Sequence, residues 1–281
     1  MRVFACVPNV SEGRDARVID ACADAIAGAG ASLAHRTSDP AHHRSVFTFF
    51  GTHETVVRAA LALAAVAVDA IDLRTHRGVH PRIGALDVLP FVPYGDATLA
   101  DAAGVARDAA ARLWSDLRVP SYYYGAVTDP PRALADVRRG EFEGLTPASR
   151  AFDVGDRAHP GAGATAAGAR APLVAFNVVL ASDDVALGRR IARALRERDG
   201  GLRTLRALAF VQADGHVQVS CNLTDPAATP LHVVTGIVAE LARRAGVAVA
   251  RTELIGLVPR AALRDVAAHA LGVEVTERSA Q

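Results

Sequence analysis

Hydrophobic periodicity switches between period two and period 3.6 in the same order in each half of the chain. That repetition constrains the fold more than any other feature. In the first half, "RVFACVPN" from Arg2 reads as a strand and is followed by a helix from about Asp15 to Ala29. "ASLAHRTS" and "RSVFTFFG", separated by a turn at Asp39-Pro40, read as two further strands. A long helix to about Ala70 comes next, with Thr52 as its N-cap and Glu54 in its first turn, and the strand "LDVLPFV" closes the unit. The second half runs through the strand "APLVAFNVVLAS", a helix from Asp183 to Arg196, and strands "LRALAFVQ" and "HVQVSCNL" joined by the tight-turn signal "ADG". A helix over 229–244 and the strand "VAVARTELIG" complete it. Each half is therefore β-α-β-β-α-β. This predicts an α/β (α+β) protein of two ferredoxin-like subdomains, residues 1–170 and 171–281, with a cleft between the lobes. Between the two units lie an extra helix near 99–115, the strand "PSYYYG" and a loop-rich stretch from about 129 to 170.

Polar residues gather in three loops of the first unit: "VPNVSEG" from Val7, "DPAHHR" from Asp39 and "THRGVHPRIG" from Thr75. The topology predicts that loops flanking these strands converge on one edge of the sheet, which makes them the walls of a candidate site. In the third loop His80 precedes Pro81, which disfavours helical geometry at the histidine, and Gly78 and Gly84 let the backbone bend on either side. An imidazole there can give or take a proton near neutral pH. A structural loop histidine is the competing reading. The neighbours Arg82 and Asp87 favour the functional one.

His76 and His80 are four apart, but Gly78 and Pro81 break the helix a zinc pair needs, so no metal site is expected. His42 and His43, read as adjacent strand residues, would point to opposite faces. Arg44 and Arg82 suit carboxylate binding, because a guanidinium fork matches that planar group; each could equally be a solvated surface arginine. Asn9 could bind ligand or cap a turn.

Composition excludes several classes. Net charge is +1 with both signs interspersed, which gives no electrostatic case for nucleic acid. All 31 lysine-plus-arginine positions are arginine, so Schiff-base and P-loop lysine mechanisms drop out. The longest apolar run, "AALALAAVAV" from Ala59, falls short of a membrane span, and Pro8 and Asn9 interrupt any signal-peptide pattern. Cys6, Cys22 and Cys221 have no metal-ligand spacing. A cytoplasmic protein is expected. The stretch "HPGAGATAAGAR", 159–170, lacks Rossmann or P-loop spacing and by spacing alone reads as an interlobe linker.

A resemblance changes that last reading. "CVPNVSEGRD", "HRSVFTFFG", "IDLRTHRGVHPRIGALDVLPFVP", "DVRRGEFEGL", "GATAAGARAPLVAFNVVL", "VQVSCNLTD" and "ELIGLVP" resemble, in order, the formiminotransferase family, from Phe4 to about Leu263. The similarity is to the transferase part alone, without the cyclodeaminase domain some relatives carry. It implies an enzyme of the glutamate formimidoyltransferase type, which passes a formimino group from N-formimino-L-glutamate to tetrahydrofolate, here a co-substrate, with no metal. It further implies a homodimer and a groove between two α/β subdomains. His80 falls on the family's catalytic histidine. The family's folate-contacting loop falls on 155–163, which puts Gly155, Asp156, Pro160, Gly161 and Gly163 against folate. Asn9, Arg44 and Arg82 are then expected on the donor side.

The chain departs from the family pattern beside that histidine, where Val79 replaces a glutamate, and at the hairpin, where His43 replaces an asparagine. In the folate loop Asp156 replaces a proline. Several of these changes crowd the donor edge. They leave two alternatives: the same folate chemistry with another N-formimino or N-formyl donor, and a folate-binding protein without catalysis.

Overall fold

A proline divides the first strand. In the computed structural model, which describes residues 1–78, 81–145, 151–212 and 214–274, "RVFACVPNV" forms β1 (Arg2–Cys6) and β2 (Asn9–Val10). Pro8 has no amide hydrogen for a ladder bond, so the regular ladder is interrupted there, although the Val7 amide still donates to the Pro90 carbonyl and the Pro8 carbonyl accepts from the Phe47 amide, each at 3.1 Å. Both pieces lie antiparallel between β4 (Arg44–Gly51) and β5 (Leu86–Gly95). β3 (Ser32–Asp39) forms a hairpin with β4 and supplies one sheet edge.

The other side of the sheet departs from the sequence reading. Within the stretch read as loop, Thr165–Ala169 is a fully buried strand, β7, parallel to β5 on one side and to β6 (Ser121–Gly125) on the other. "TAAGA" carries a single β-branched residue and so lacks the usual strand signature. Its small side chains are required by packing: a Cβ on Gly168 would overlap the Tyr124 ring. The linker reading of 159–170 is thereby corrected.

α1 (Ala16–Gly28), α2 (His53–Ala70) and α3 (Leu99–Leu117) build the main core of this unit against the sheet. The helix starts follow capping rules. Asp15 accepts from the Arg17 amide, Thr52 accepts from the Thr55 amide at 3.4 Å, and Thr98 with Asp101 forms a reciprocal capping box. A smaller cluster around Ile83, Val88, Tyr122, Tyr124 and Ala166 includes Val137 of the short helix α4 (Leu134–Val137).

The described residues divide into two compact units, Met1–Ala171 and Pro172–Gln281. The second contains β8 (Val174–Leu180), α5 (Val185–Leu195), β9 (Leu205–Val211), β10 (Val217–Leu223), α6 (Leu231–Arg244) and β11 (Val249–Ile255). Its sheet is antiparallel in the order β11-β8-β10-β9, with a core of its own. A further helix, α7 (Arg260–Leu271), follows, and no sequence expectation covered it. Ala213 of the "ADG" turn lies outside the described residues. The protein is thus mixed α/β throughout. Among the described residues no helix is long and apolar enough to cross a membrane.

Candidate active site

The three polar loops of the first unit meet at one end of the sheet. Ser11 Oγ donates to the Gly84 carbonyl at 2.7 Å and its amide to that of Ala85 at 2.8 Å, which ties the first loop to the third. The Gly13 amide donates to His43 Nδ1 at 3.1 Å, which ties the first to the second. Gly78 packs against the second, where a Cβ would lie 2.8 Å from the His42 carbonyl oxygen.

His42 and His43 sit in the turn between β3 and β4 rather than on a strand, so the opposite-face argument does not apply to them. His43 adopts a left-handed φ of 51°, which swings its ring to 4.2 Å from that of His76. Burial holds the His43 imidazole below its ordinary range, although Glu12, 3.3 Å away, works the other way.

Arg82 has no spare donor. Its Nε–H reaches His76 Nδ1 at 3.3 Å, Nη1 reaches Glu141 at 3.3 Å and Glu143 at 2.9 Å, and Nη2 reaches Glu143 at 2.8 Å and the His76 carbonyl at 3.5 Å. A guanidinium carries five N–H groups, and five acceptors surround this one. Because Nδ1 of His76 accepts from Arg82, its proton sits on Nε2, which donates to the His43 carbonyl at 3.3 Å. Burial, with Arg82 alongside, keeps His76 below the usual imidazole range, in keeping with a neutral ring. Arg82, His76, Arg77 and Gly78 line a cavity of about 430 Å³ together with Gly140, Glu141 and Glu143.

Asp87 organises the adjacent cluster. Asn9 pairs with Val88 but Val10 with Leu86, so Asp87 is the extra residue of a β-bulge, a feature that re-aims a side chain. Its carboxylate is completely buried and accepts from the Ile83 amide at 2.8 Å, from Arg44 Nη1 at 2.9 Å and from Arg138 Nη2. Burial acts to raise this carboxyl, but Arg138, Arg44 and the Ile83 amide together hold it below the ordinary carboxylate range. Arg44 also donates from Nε to Asn9 Oδ1 at 2.9 Å and from Nη2 to the same oxygen, while Asn9 Nδ2 donates to the Val7 carbonyl at 2.9 Å. Burial lowers the Arg44 guanidinium to about 10.

The glycine stretch lies directly against the third loop. Ala85 donates to the Ala162 carbonyl at 2.9 Å, Ala164 to that of Ile83 at 2.9 Å and Leu73 to that of Gly161 at 2.8 Å. Gly163, at a φ of 70°, bridges Gly84. His159 Nδ1 accepts from the amides of Gly161 and Ala162 at 3.3 and 2.9 Å and so fastens the tip of the turn. Pro160 is exposed there. Gly155 and Asp156 rest elsewhere: Gly155, at a φ of 92°, packs beneath the Trp114 ring and Pro120, and Asp156 is exposed with Arg157 3.5 Å away. A Cβ on Gly84 would overlap the Ala164 carbonyl oxygen, which is backbone and cannot step aside. Gly84→Ala is therefore expected to cost about 1–3 kcal/mol, read as a lower urea midpoint with an unchanged slope.

Arg44, Asn9 and Arg82 are thus brought to one end of the sheet, with Gly161 and Gly163 beside them. His80, with Val79 before it, lies outside the described residues. Sequence reasoning named His43 only as a departure at the hairpin and missed Arg138, Glu141, Glu143 and His159, and of these Arg138, Glu141 and Glu143 lie in one charged motif. The alternating charges of "DVRRGEFEGL" were the available signal for three of these.

The buried ion pairs and histidines at this end of the sheet carry the chemistry of an enzyme site, and comparison with known proteins gives its class. The family described as formiminotransferase domain, N-terminal subdomain, matches residues 3–170, and the formiminotransferase domain family matches residues 175–276. Glutamate formimidoyltransferase of Streptococcus pyogenes serotype M1 is 41% identical over 97% of this chain and 94% of its own. That of Thermoplasma acidophilum is 39% identical over 96% and 93%. Formimidoyltransferase-cyclodeaminase of Sus scrofa is 41% identical over 94% of this chain but 51% of its own length. The protein is a transferase. It belongs to the formiminotransferase family.

Proposed function

We propose that this enzyme moves the formimino group of N-formimino-L-glutamate to N5 of tetrahydrofolate. The observation that supports the reading is the backbone pairing of residues 83–85 with 162–164, since the family's folate-contacting loop is expected over 155–163 and its catalytic histidine in the segment that leads into residue 83. Two substrates held there in line would gain the rate advantage of intramolecular reaction.

In the reaction the lone pair of N5 attacks the amidine carbon and a C–N bond forms as the C=N π pair moves onto the imino nitrogen, giving a tetrahedral intermediate. The C=N bond then re-forms as the bond from that carbon to the glutamate nitrogen breaks, its electron pair staying on the glutamate nitrogen. N5 must lose a proton and the departing amine must gain one. His80 is assigned that transfer, for which an imidazole is suited near neutral pH. Arg82, saturated by His76, Glu141 and Glu143, positions the loop and does not itself bind substrate. Gly161 allows the folate to approach backbone, Gly163 packs the loop against the Ile83 carbonyl, and Gly155, Asp156 and Pro160 extend the folate loop.

A second donor class, another N-formimino or N-formyl amine, is favoured by one observation: an imidazole, His43, stands at the hairpin position on the donor side, its ring 4.2 Å from that of His76 and tilted by 31°. The test is to incubate the protein with tetrahydrofolate and N-formimino-L-glutamate and to follow the 5-formimino product, with the formyl donor in parallel. Product from the formimino donor alone is expected. Folate binding without product from either donor would replace this reading with that of a binding protein. A homodimer in the cytoplasm is the setting the family resemblance implies, and sedimentation equilibrium checks the dimer.

A further inference from the structure

We infer that Arg138 is an anchoring residue for a substrate carboxylate, working beside Arg44 at the buried Asp87 cluster. The inference deepens the proposed reaction and rests on that reading for the identity of the carboxylate. It replaces Arg82, whose five donors are all occupied, as the second arginine of the donor side.

Among the described residues, two guanidiniums converge on one carboxylate: Arg44 Nη1 and Arg138 Nη2 both donate to Asp87. Their side chains are 12% and 14% exposed and that of Asp87 is 0% exposed, so two cations share one buried anion with little water to screen them. Such a pairing is costly, and the cost falls when a second anion arrives.

One donor of the cluster is orphaned. Among the described residues, Arg138 Nε is buried without a hydrogen-bond partner, and the side chain donates to Asp87 alone. Buried guanidinium nitrogens are ordinarily satisfied, so this one lacks, among the described residues, the acceptor its chemistry calls for. A carboxylate fits, because it accepts from a planar fork.

The cluster adjoins the cavity lining along the chain. Arg138 is two residues from Gly140, which lines the 430 Å³ cavity with Glu141 and Glu143, and the Asp87 carboxylate holds the Ile83 amide next to Arg82 of the same lining. The motif "DVRRGEFEGL" thereby gains a role: its glutamates fasten Arg82, and its first arginine receives an anion.

Two substrates carry such a group, the donor glutamate and the glutamyl tail of the folate. The experiment separates them. KM for each substrate, kcat, and the dissociation constant of glutarate are measured for the wild type, Arg138→Gln and Arg138→Lys. A lost charge-assisted hydrogen bond is expected to raise the donor KM and weaken glutarate about tenfold to a hundredfold in Arg138→Gln, with kcat falling less than KM rises and lysine recovering part of the loss. A rise confined to the KM for tetrahydrofolate would keep the carboxylate site and move it to the folate tail. If both KM values and glutarate binding stayed within twofold of wild type, the inference would be wrong.

Wild-type protein alone supplies a check that survives a folding defect in the variants. Glutarate should raise the unfolding temperature in a concentration-dependent way, whereas its neutral diamide should not. Equal effects of the two compounds would also overturn the assignment. Glutarate binding needs no formimino transfer, so an enzyme inactive with both donors yet dependent on Arg138 for glutarate would sink the proposed reaction and leave this site standing.

Discussion

Asp87→Ala is expected to lower the unfolding midpoint of the first unit by roughly 6–20 °C. The change removes the acceptor shared by Arg44 Nη1, Arg138 Nη2 and the Ile83 amide, and it leaves two guanidiniums facing each other without a counter-charge. Breaking a buried ion pair from one side typically costs about 3–5 kcal/mol, and each kcal/mol is worth about 2–4 °C in a unit of this size. Thermal unfolding followed by circular dichroism at pH 7 checks it; a shift under about 2 °C would mean that water, rather than Asp87, satisfies the cluster. The pH dependence has a definite sign. The Asp87 carboxyl titrates below its ordinary range in the folded state, so its stabilisation is complete above the unfolded value near about pH 4 and is lost as pH falls through the lower folded value. The gap between wild type and Asp87→Asn should therefore be widest at neutral pH and should close in acid.

His80→Ala is expected to lower turnover by about 10²–10⁴ while leaving tetrahydrofolate binding within a few-fold of wild type. The glutamate nitrogen cannot leave as an anion at neutral pH, so the group that protonates it governs collapse of the tetrahedral intermediate. Single-turnover formation of the 5-formimino product isolates that step, and a folate titration measured alongside separates lost chemistry from lost binding. Equal turnover in the two proteins would remove His80 from the proposed mechanism. An intermediate result is informative as well: a loss confined to the donor KM would make the residue a binding group.

The β-α-β-β-α-β run of each half was legible from periodicity alone, though α4 and α7 were not, because amphipathic helices such as α2 and alternating strands such as β4 state their faces locally. The meeting of the three polar loops was legible too, since topology sends those loop ends to one place. β7 was not, because its alanines and glycine carry no propensity and its identity as a strand comes from long-range pairing with β5 and β6. His43 was dismissed on strand geometry and belongs to a turn. The roles of Arg82 and Arg138 were hidden for a different reason. An arginine's meaning depends on its acceptors, and Glu143 lies 61 positions from Arg82 while Asp87 lies 51 from Arg138.

The late strand β7 bears on how the first unit assembles. Until residues 165–169 dock, β5 presents an unpaired parallel edge of apolar backbone, and β6 has no partner at all on its inner side. A nascent or truncated chain ending before residue 165 would therefore expose an edge able to recruit other chains, which makes aggregation its expected fate. Keeping the glycine-rich turn and β7 together thus guards solubility during synthesis as well as shaping the site.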